Sequence, residues 1–348
     1  MTPLPDGFVP ALLDWYAQNA RPLPWREDAS PYRVWVSEIM LQQTRIEAAR
    51  GYFLRFMEAL PGVEALAAAT EDEVLKLWEG LGYYSRARNL RRAAKLVVAE
   101  YGGRLPGDYA ALRKLPGIGD YTAGAIASIA FGLPEPAVDG NVLRVLSRLV
   151  ASMENVGDAQ VKREFRAALR AVYPPGRCGA FTEALMELGE VCCTPGTPGC
   201  LTCPLAGLCR AWAGGIQAGL PVMPAKKARR IEARTVFLFV SEGRVALRKR
   251  PGNGLLAGLW EFPNVPGALA EGEALAQAAA WGLAPRDAAG CLPAVHIFTH
   301  IEWHMTGYVI DCAAPGGDFV WATRDELRET YALPTAFRFL EKNLGKAL

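Results

Sequence analysis

The chain has few of the features that would place it quickly. Of its 348 residues only three are histidine, and 38 basic side chains face 36 acidic ones, a formal net charge of +2. So small a total excludes a chain that is basic throughout and gathers nucleic acid by bulk charge. Nowhere does an apolar run reach the roughly 20 residues that a bilayer-spanning helix needs. The longest uncharged, apolar-leaning run, Tyr121 to Pro134, covers 14 residues and includes Gly124 and Gly132. The first ten residues have neither the basic segment nor the apolar core of a secretion signal, so the expectation is a soluble, intracellular (cytoplasmic) protein with no membrane partner. Internal repeats and low-complexity tracts are absent as well.

What is present is the composition of a folded protein, 51% hydrophobic and 21% charged, too long for one ordinary core; two or three domains are expected. The charge divides unevenly. Residues 1–212 hold 23 basic and 23 acidic side chains; residues 213–234 hold five and one; residues 235–348 hold ten and twelve. The first region reads as successive helices. Trp35 to Leu60 is apolar with charges at helical spacing, Thr70-Glu71-Asp72-Glu73 is a capping box, and Arg86 to Tyr101 has a basic and an apolar face. Tyr109 to Leu115, Tyr121 to Phe131, Asn141 to Val150, Ala159 to Val172 and Ala180 to Val191 follow. Residues 213–234, with Gly214, Gly215, Gly219, Pro221 and Pro224 before Lys226, Lys227, Arg229 and Arg230, read as a linker. Strand alternation starts beyond it, in Thr235 to Val240 and Val245 to Arg248 across a Ser-Glu-Gly-Arg turn. Ala270 to Trp281 is expected as a helix, Glu302 to Cys312 and Asp318 to Trp321 as strands, and Asp325 to Thr330 and Thr335 to Leu344 as short helices.

Eight cysteines in a reducing compartment favour ligation over disulfides. Cys193, Cys200, Cys203 and Cys209 form C-x6-C-x2-C-x5-C in a loop rich in Pro and Gly, and four thiolates so close can hold zinc or a [4Fe–4S] cluster. Zinc ribbons use two C-x2-C knuckles, and here there is one, which favours the cluster. Cys178, Cys192, Cys291 and Cys312 read as core residues.

Leu115-Pro-Gly117-Ile-Gly119-Asp-Tyr121 joins two short helices. Its glycines let backbone approach a ligand, and helix-start N–H groups suit a phosphate, which would hold the DNA backbone without reading sequence. Such a contact adds no formal charge, so the +2 total does not exclude it.

Together, this hairpin, the acidic residue in Val138-Asp139-Gly140-Asn141, the cysteine spacing, Trp35-Val-Ser-Glu38-Ile-Met-Leu-Gln-Gln-Thr44 and Gly80-Leu-Gly-Tyr-Tyr-Ser85 resemble the endonuclease III superfamily of DNA glycosylases and, within it, the MutY type of adenine DNA glycosylase. The resemblance covers nearly the whole chain. It implies a multidomain protein: an all-α helix-hairpin-helix catalytic region, 1–212, made of a six-helix domain (30–135) and a [4Fe–4S] cluster domain (1–29 plus 136–212), and after the linker a C-terminal α+β Nudix-like domain (235–348). It further implies a monomeric, monofunctional enzyme that removes adenine mispaired with 8-oxoguanine or guanine in duplex DNA.

By the same resemblance, Glu38 protonates adenine and helps activate water, Asp139 stabilises an oxocarbenium-like transition state with Asn141 in support, and Tyr121 lies near the sugar. Where bifunctional superfamily members carry a lysine nucleophile, this chain has Tyr121. Trp25, Arg26, Leu41 and Glu183 match residues that form the base pocket. Gln43, Thr44, Leu81 and Tyr83 match residues near the opposing base, Gly117 and Gly119 the phosphate-binding hairpin, and Phe298-Thr299-His300 the loop that contacts 8-oxoguanine, with Thr299 where serine is usual. Cys193, Cys200, Cys203 and Cys209 match the cluster ligands. The basic residues that relatives often place between the first two cysteines are missing from Thr194 to Gly199. The helix from Glu271 lacks the Arg-Glu and Glu-Glu pairs that hold magnesium in Nudix hydrolases, so pyrophosphatase activity is not expected. Two rivals remain: a mismatch thymine or uracil glycosylase of the same superfamily, and a non-catalytic, zinc-dependent DNA-binding protein.

Overall fold

A computed structural model of the chain describes residues 3–225 and 228–341. Lys226, Lys227 and the expected end of the last helix at 342–344 lie outside the described residues. The chain forms two compact units, Met1–Ala68 with Asn89–Ala225, and Ala69–Arg88 with Lys226–Leu348.

The helices run α1 (Phe8–Asn19), α2 (Pro31–Leu41), α3 (Ile46–Ala59), α4 (Val63–Ala68), α5 (Glu71–Leu77), α6 (Ser85–Tyr101), α7 (Tyr109–Leu112), α8 (Asp120–Ala125), α9 (Gly140–Leu149), α10 (Ala159–Val172), α11 (Cys178–Val191) and α12 (Arg210–Ala213). The single helical stretch expected over Trp35 to Leu60 is in fact two helices. Gln43 between them adopts φ 57°, a left-handed conformation that costs a non-glycine residue about 1–3 kcal/mol. No Gly or Pro marks the break, so the sequence hides it. Similarly, the run from Tyr121 changes character at Ile126, where α8 passes into a π turn, Ile126–Ala130.

In the first unit one core is shared by α1, α9, α10 and α11, where Phe8, Leu12, Leu146, Phe165, Phe181 and Leu185 are buried together. Their spacing places apolar residues on one stripe of each helix. Each such side chain contributes on the order of 1.5–3 kcal/mol by leaving water. The front of the Gly/Pro-rich segment is tied to this unit: Arg148 Nε donates to Leu220 O at 3.0 Å, and Val156 N to Val222 O at 3.0 Å.

The second unit begins with α5, whose Thr70 hydroxyl accepts from Glu73 N while the Glu73 carboxylate accepts from Thr70 N, the expected capping box. Its sheet contains β1 (Arg230–Ser241), β2 (Arg244–Lys249), β3 (Trp260–Glu261), β4 (Asn264–Pro266), β5 (Pro285–Ile297), β6 (Ile301–Cys312) and β7 (Val320–Ala322), with α13 (Glu271–Ala280) and α14 (Arg324–Glu329). The order is β3-β2-β1-β6-β5, with β4 also on β1 and β7 on β2; β1 and β6 are parallel and the other pairs antiparallel. β1 reads Thr-Val-Phe-Leu-Phe-Val because both its faces are covered. Val236, Leu238 and Val240 face a core with Trp303 and Phe337; Phe237 and Phe239 face α13 through Ala274 and Ala278. β5 was not foreseen, since Pro285, Pro293 and several alanines weaken its strand pattern; its pairing with β6 overrides that.

Candidate active site

α2 carries the carboxylate that the chemistry needs. Glu38 follows Val36 and precedes Ile39 and Met40, and the turn of the helix buries it with them at 5% exposure. Burial, the largest influence, pushes its pKa up to about 7, against the pull of a hydrogen bond from Tyr121 and with the further push of the nearby Asp139 carboxylate. A carboxyl held there is part protonated at neutral pH, the condition for a general acid. Tyr121, on α8 just past the hairpin, donates to Glu38 Oε2 at 2.5 Å. Burial and the facing carboxylates raise the Tyr121 phenol, so it remains a donor.

Asp139 caps α9, and its Oδ1 accepts from Val142 N at 2.8 Å. Burial raises its pKa, while the Val142 N–H and the Arg144 guanidinium oppose that shift. Capping is thus a local structural role, and it also fixes the carboxylate beside the same pocket as Glu38. Asn141 is held from both sides: its Nδ2 donates to Glu190 at 2.9 Å and its Oδ1 accepts from Arg144 at 2.7 Å.

These groups line one cavity with Trp25, Arg26, Leu41, Thr44 and Glu183. Trp25 is 6% exposed and packs edge-on against Phe53 at 5.5 Å, so one part of it is core and another part wall. Glu183 accepts from Tyr16 Oη at 3.0 Å and lies 3.5 Å from Arg26 Nε. Burial raises the Glu183 carboxyl above its usual range, despite Arg26.

Two residues that hold this wall were missed from the sequence, one lining it and one bonded to it from outside the lining. Glu187 is 1% exposed and pairs with Arg21 at 2.5 Å and Arg26 at 2.8 Å. Burial works to raise its pKa, but the two guanidiniums together hold it below the ordinary value. Tyr16 is the other, under the Arg26 guanidinium at 5.6 Å. A signal existed: Glu183, Glu187 and Glu190 recur at i, i+4 and i+7, one face of α11.

At the hairpin, Gly117 has φ +79° and a Cβ there would meet Asn89 Cβ at 2.7 Å, so fold geometry alone demands glycine. Gly119 differs. Its φ is −88° and nothing lies within 4 Å of an added Cβ. Asp120 is engaged by Tyr109, Arg113 and Arg166. Gln43 is exposed at the α2–α3 break.

Leu81, Tyr83, Phe298, Thr299 and His300 lie in the second unit, outside this cavity. Phe298, Thr299 and His300 form the β5–β6 turn, closed by Phe298 N donating to Ile301 O at 2.8 Å. Phe298 packs against Trp303 at 4.9 Å and His296 at 4.5 Å, while Thr299 and His300 are exposed. Thr299 Oγ1 lies 3.1 Å from Tyr83 Oη. Tyr83 is 45% exposed, while Leu81 in the same loop is buried.

The chain is similar to known proteins along nearly its whole length. The HhH-GPD superfamily of base excision DNA repair proteins matches residues 36–171, and the NUDIX domain matches residues 235–342. A human protein named adenine DNA glycosylase is 36% identical over 95% of this chain and 73% of its own length. The chain belongs to the adenine DNA glycosylase family. Among solved structures, a thermostable thymine-DNA glycosylase superposes on 60% of the chain and 95% of its own, with TM-score 0.53 and 28% identity. A non-covalent endonuclease III–DNA complex superposes over the same shares with TM-score 0.52 and 24% identity, a likeness of fold.

Adenine DNA glycosylases share the endonuclease III fold, and that fold family in general implies a [4Fe–4S] cluster. In this member Cys193, Cys200, Cys203 and Cys209 line one apolar-walled cavity with Cys192 and Arg148. Among the described residues no three His, Cys, Asp or Glu side chains surround a single point closely enough for one metal ion. Four cysteine sulfurs lining one cavity are the donor set that a [4Fe–4S] cluster takes. Arg148 NH1 donates to Cys193 Sγ at 3.3 Å, the kind of contact that stabilises a thiolate ligand. Cys192, expected in the core, is buried and donates to Gly199 O at 3.4 Å, whereas Cys291, expected there too, is exposed on β5. Among the described residues no helix is long and apolar enough to cross a membrane.

Proposed function

We propose that this chain hydrolyses the N-glycosidic bond of adenine mispaired with 8-oxoguanine, or with guanine, in duplex DNA. The observation that carries the reading is the pairing of Glu38, buried and part protonated, with Asp139 on one cavity that Arg26 and Glu183 also line. Two carboxyl groups in different settings can divide the labour. Glu38 gives its proton to the departing base, and its carboxylate then orients water. Asp139 offers negative charge to the cationic sugar. Arg26 and Glu183 supply a donor and an acceptor for an adenine edge, once the base has left the stack.

Tyr121 cannot form the Schiff base that a lysine would, so excision leaves an abasic site with the strand intact. Gly117 and Gly119 bring backbone N–H groups to phosphate. Gln43, Thr44, Leu81 and Tyr83 flank the gap, and Phe298, Thr299 and His300 contact the 8-oxoguanine. The catalytic region is 1–212 and the lesion-reading domain 235–348. Cys193, Cys200, Cys203 and Cys209 hold a [4Fe–4S] cluster, whose chemistry when bound is to cross-link the 193–209 loop. Glu273, one of two glutamates starting α13, accepts from Ala270 N at 2.8 Å and so serves the helix start.

The test is single-turnover excision on A:8-oxoguanine, A:G, T:G and U:G duplexes, with and without alkali. Strand breaks on A:8-oxoguanine only after alkali are expected. Equal activity on T:G would overturn the substrate assignment, and breaks without alkali would overturn the role given to Tyr121. A brown purified protein is expected; a colourless one containing zinc would support the DNA-binding rival.

A further inference from the structure

The loop that carries Leu81 and Tyr83 is gripped by two charged side chains that no part of the proposed chemistry uses. Lys76, at the end of α5, donates to Glu79 Oε2 at 2.7 Å, to Leu327 O at 3.3 Å and to Tyr331 O at 3.0 Å. An ammonium has three N–H groups, and all three are engaged. Leu327 lies in the last turn of α14, where carbonyls have no partner within the helix and a cation is favoured. Glu79 completes the grip from the other side, its Oε1 accepting from Leu333 N at 2.8 Å. Leu333 is itself 2% exposed, so its backbone is fixed by the core.

Contacts flank this pair along the chain. Asp72 accepts from Lys249 Nζ with both oxygens at 2.8 Å, and Arg88 NH1 donates to Gly252 O at 3.2 Å. The segment from 72 to 88 is therefore pinned before and after Tyr83 to residues of the 228–341 region, all within the second unit. An apolar contact would tolerate sliding. A lysine on two carbonyls and a glutamate on one N–H do not, because each bond is directional. The tip of the pinned loop is Tyr83, 3.1 Å from Thr299 at the β5–β6 turn.

We propose that Lys76 and Glu79 are positioning residues that hold the Tyr83 loop and the Thr299 turn in one frame, and so determine specificity for the base opposite adenine. This rests on the reading that Tyr83 and Thr299 flank that base. Neither residue touches DNA; each acts through Tyr83.

The experiment measures single-turnover excision from A:8-oxoguanine and A:G duplexes for the full chain and for Lys76→Met, Glu79→Gln and Lys76→Arg, each checked by thermal melting. Expected is a fall in the A:8-oxoguanine to A:G rate ratio of roughly two- to thirtyfold in Lys76→Met, the range of couplings carried by packed networks. Lys76→Arg restores part of the ratio. In a Tyr83→Ala background Lys76→Met lowers the ratio no further, because the route through Tyr83 is already cut. If Lys76→Met does not fold, Glu79→Gln, which keeps volume and an acceptor for Leu333 N, is read in its place and lowers the ratio too. A parent that prefers A:8-oxoguanine, with folded variants keeping its ratio, overturns this proposal alone. A parent with no such preference overturns the substrate reading and this proposal with it.

Discussion

Tyr121 Oη stands 2.5 Å from Glu38 Oε2. α8 and α2 are 83 positions apart in sequence at these two residues, yet the pair decides how the buried carboxyl is poised. Burial lifts the Glu38 pKa and the Tyr121 hydrogen bond restrains that lift.

Removing the ionisable group tests the acid directly. Glu38→Gln is expected to bind duplex DNA as the parent does and to lose excision by more than about a hundredfold, general acid–base catalysis being worth 10²–10⁴. Binding by filter retention and single-turnover rates check this; a variant within tenfold of the parent would remove Glu38 from the mechanism.

The pH dependence follows from the same residue. As the acid must carry its proton, excision falls as pH rises through about 7. Tyr121→Phe removes the bond that lowers the Glu38 pKa, so the alkaline limb moves to higher pH. A limb that stays in place in Tyr121→Phe would mean that another group sets it.

Stability has the opposite sign to most carboxylates. The folded-state pKa of Glu38, about 7, lies above its ordinary value of 4.5. Its contribution is complete below pH 4.5 and is lost as pH rises through 7. Glu38→Gln should therefore be more stable than the parent at pH 8, by on the order of 1–3 kcal/mol, with the difference small at pH 4.5. Denaturant titrations at the two pH values measure it.

Glu187 makes a separate prediction about the pocket wall. Glu187→Ala leaves Arg21 and Arg26 without their shared carboxylate and costs about 3 kcal/mol of stability, with a loss of adenine excision as Arg26, left with Glu183 and the Arg21 carbonyl, is held less firmly. Unchanged melting would show that solvent replaces the pair.

The two hairpin glycines should separate fold from binding. Gly117→Ala meets both a positive φ and Asn89, and should destabilise by about 1–3 kcal/mol. Gly119→Ala meets nothing in the fold and should melt within about 0.5 kcal/mol of the parent. Its DNA affinity should still drop, because the new methyl stands where phosphate approaches. Equal affinity would place the phosphate elsewhere.

Much of this was open to inspection in the sequence, for reasons of local physics. Helical spacing, the Thr70–Glu73 box and the doubly buried β1 are local patterns with local causes. The roles expected of Glu38 and Asp139 came from the family resemblance; their neighbours add only that Glu38 sits among apolar residues and that an acid before Gly-Asn can cap a helix. The cysteine set was legible from spacing within 17 residues. Residues whose task depends on a distant partner were not. The Gln43 break has no Gly or Pro to announce it. Tyr16 and Glu187 look like ordinary helical residues until α1 and α11 share a core. Lys76 and Glu79 read as a solvated i,i+3 pair, and only the fold brings Leu327, Tyr331 and Leu333 to them.

Sequence alone settled which chemical groups this chain possesses and the periodicities that bury them, since both are properties of residues and near neighbours. Tertiary structure alone decided which carboxyl is desolvated, which phenol restrains it, and which charged pair grips the Tyr83 loop. Those are matters of distance and dielectric between segments far apart in the chain, and only the packed fold sets them.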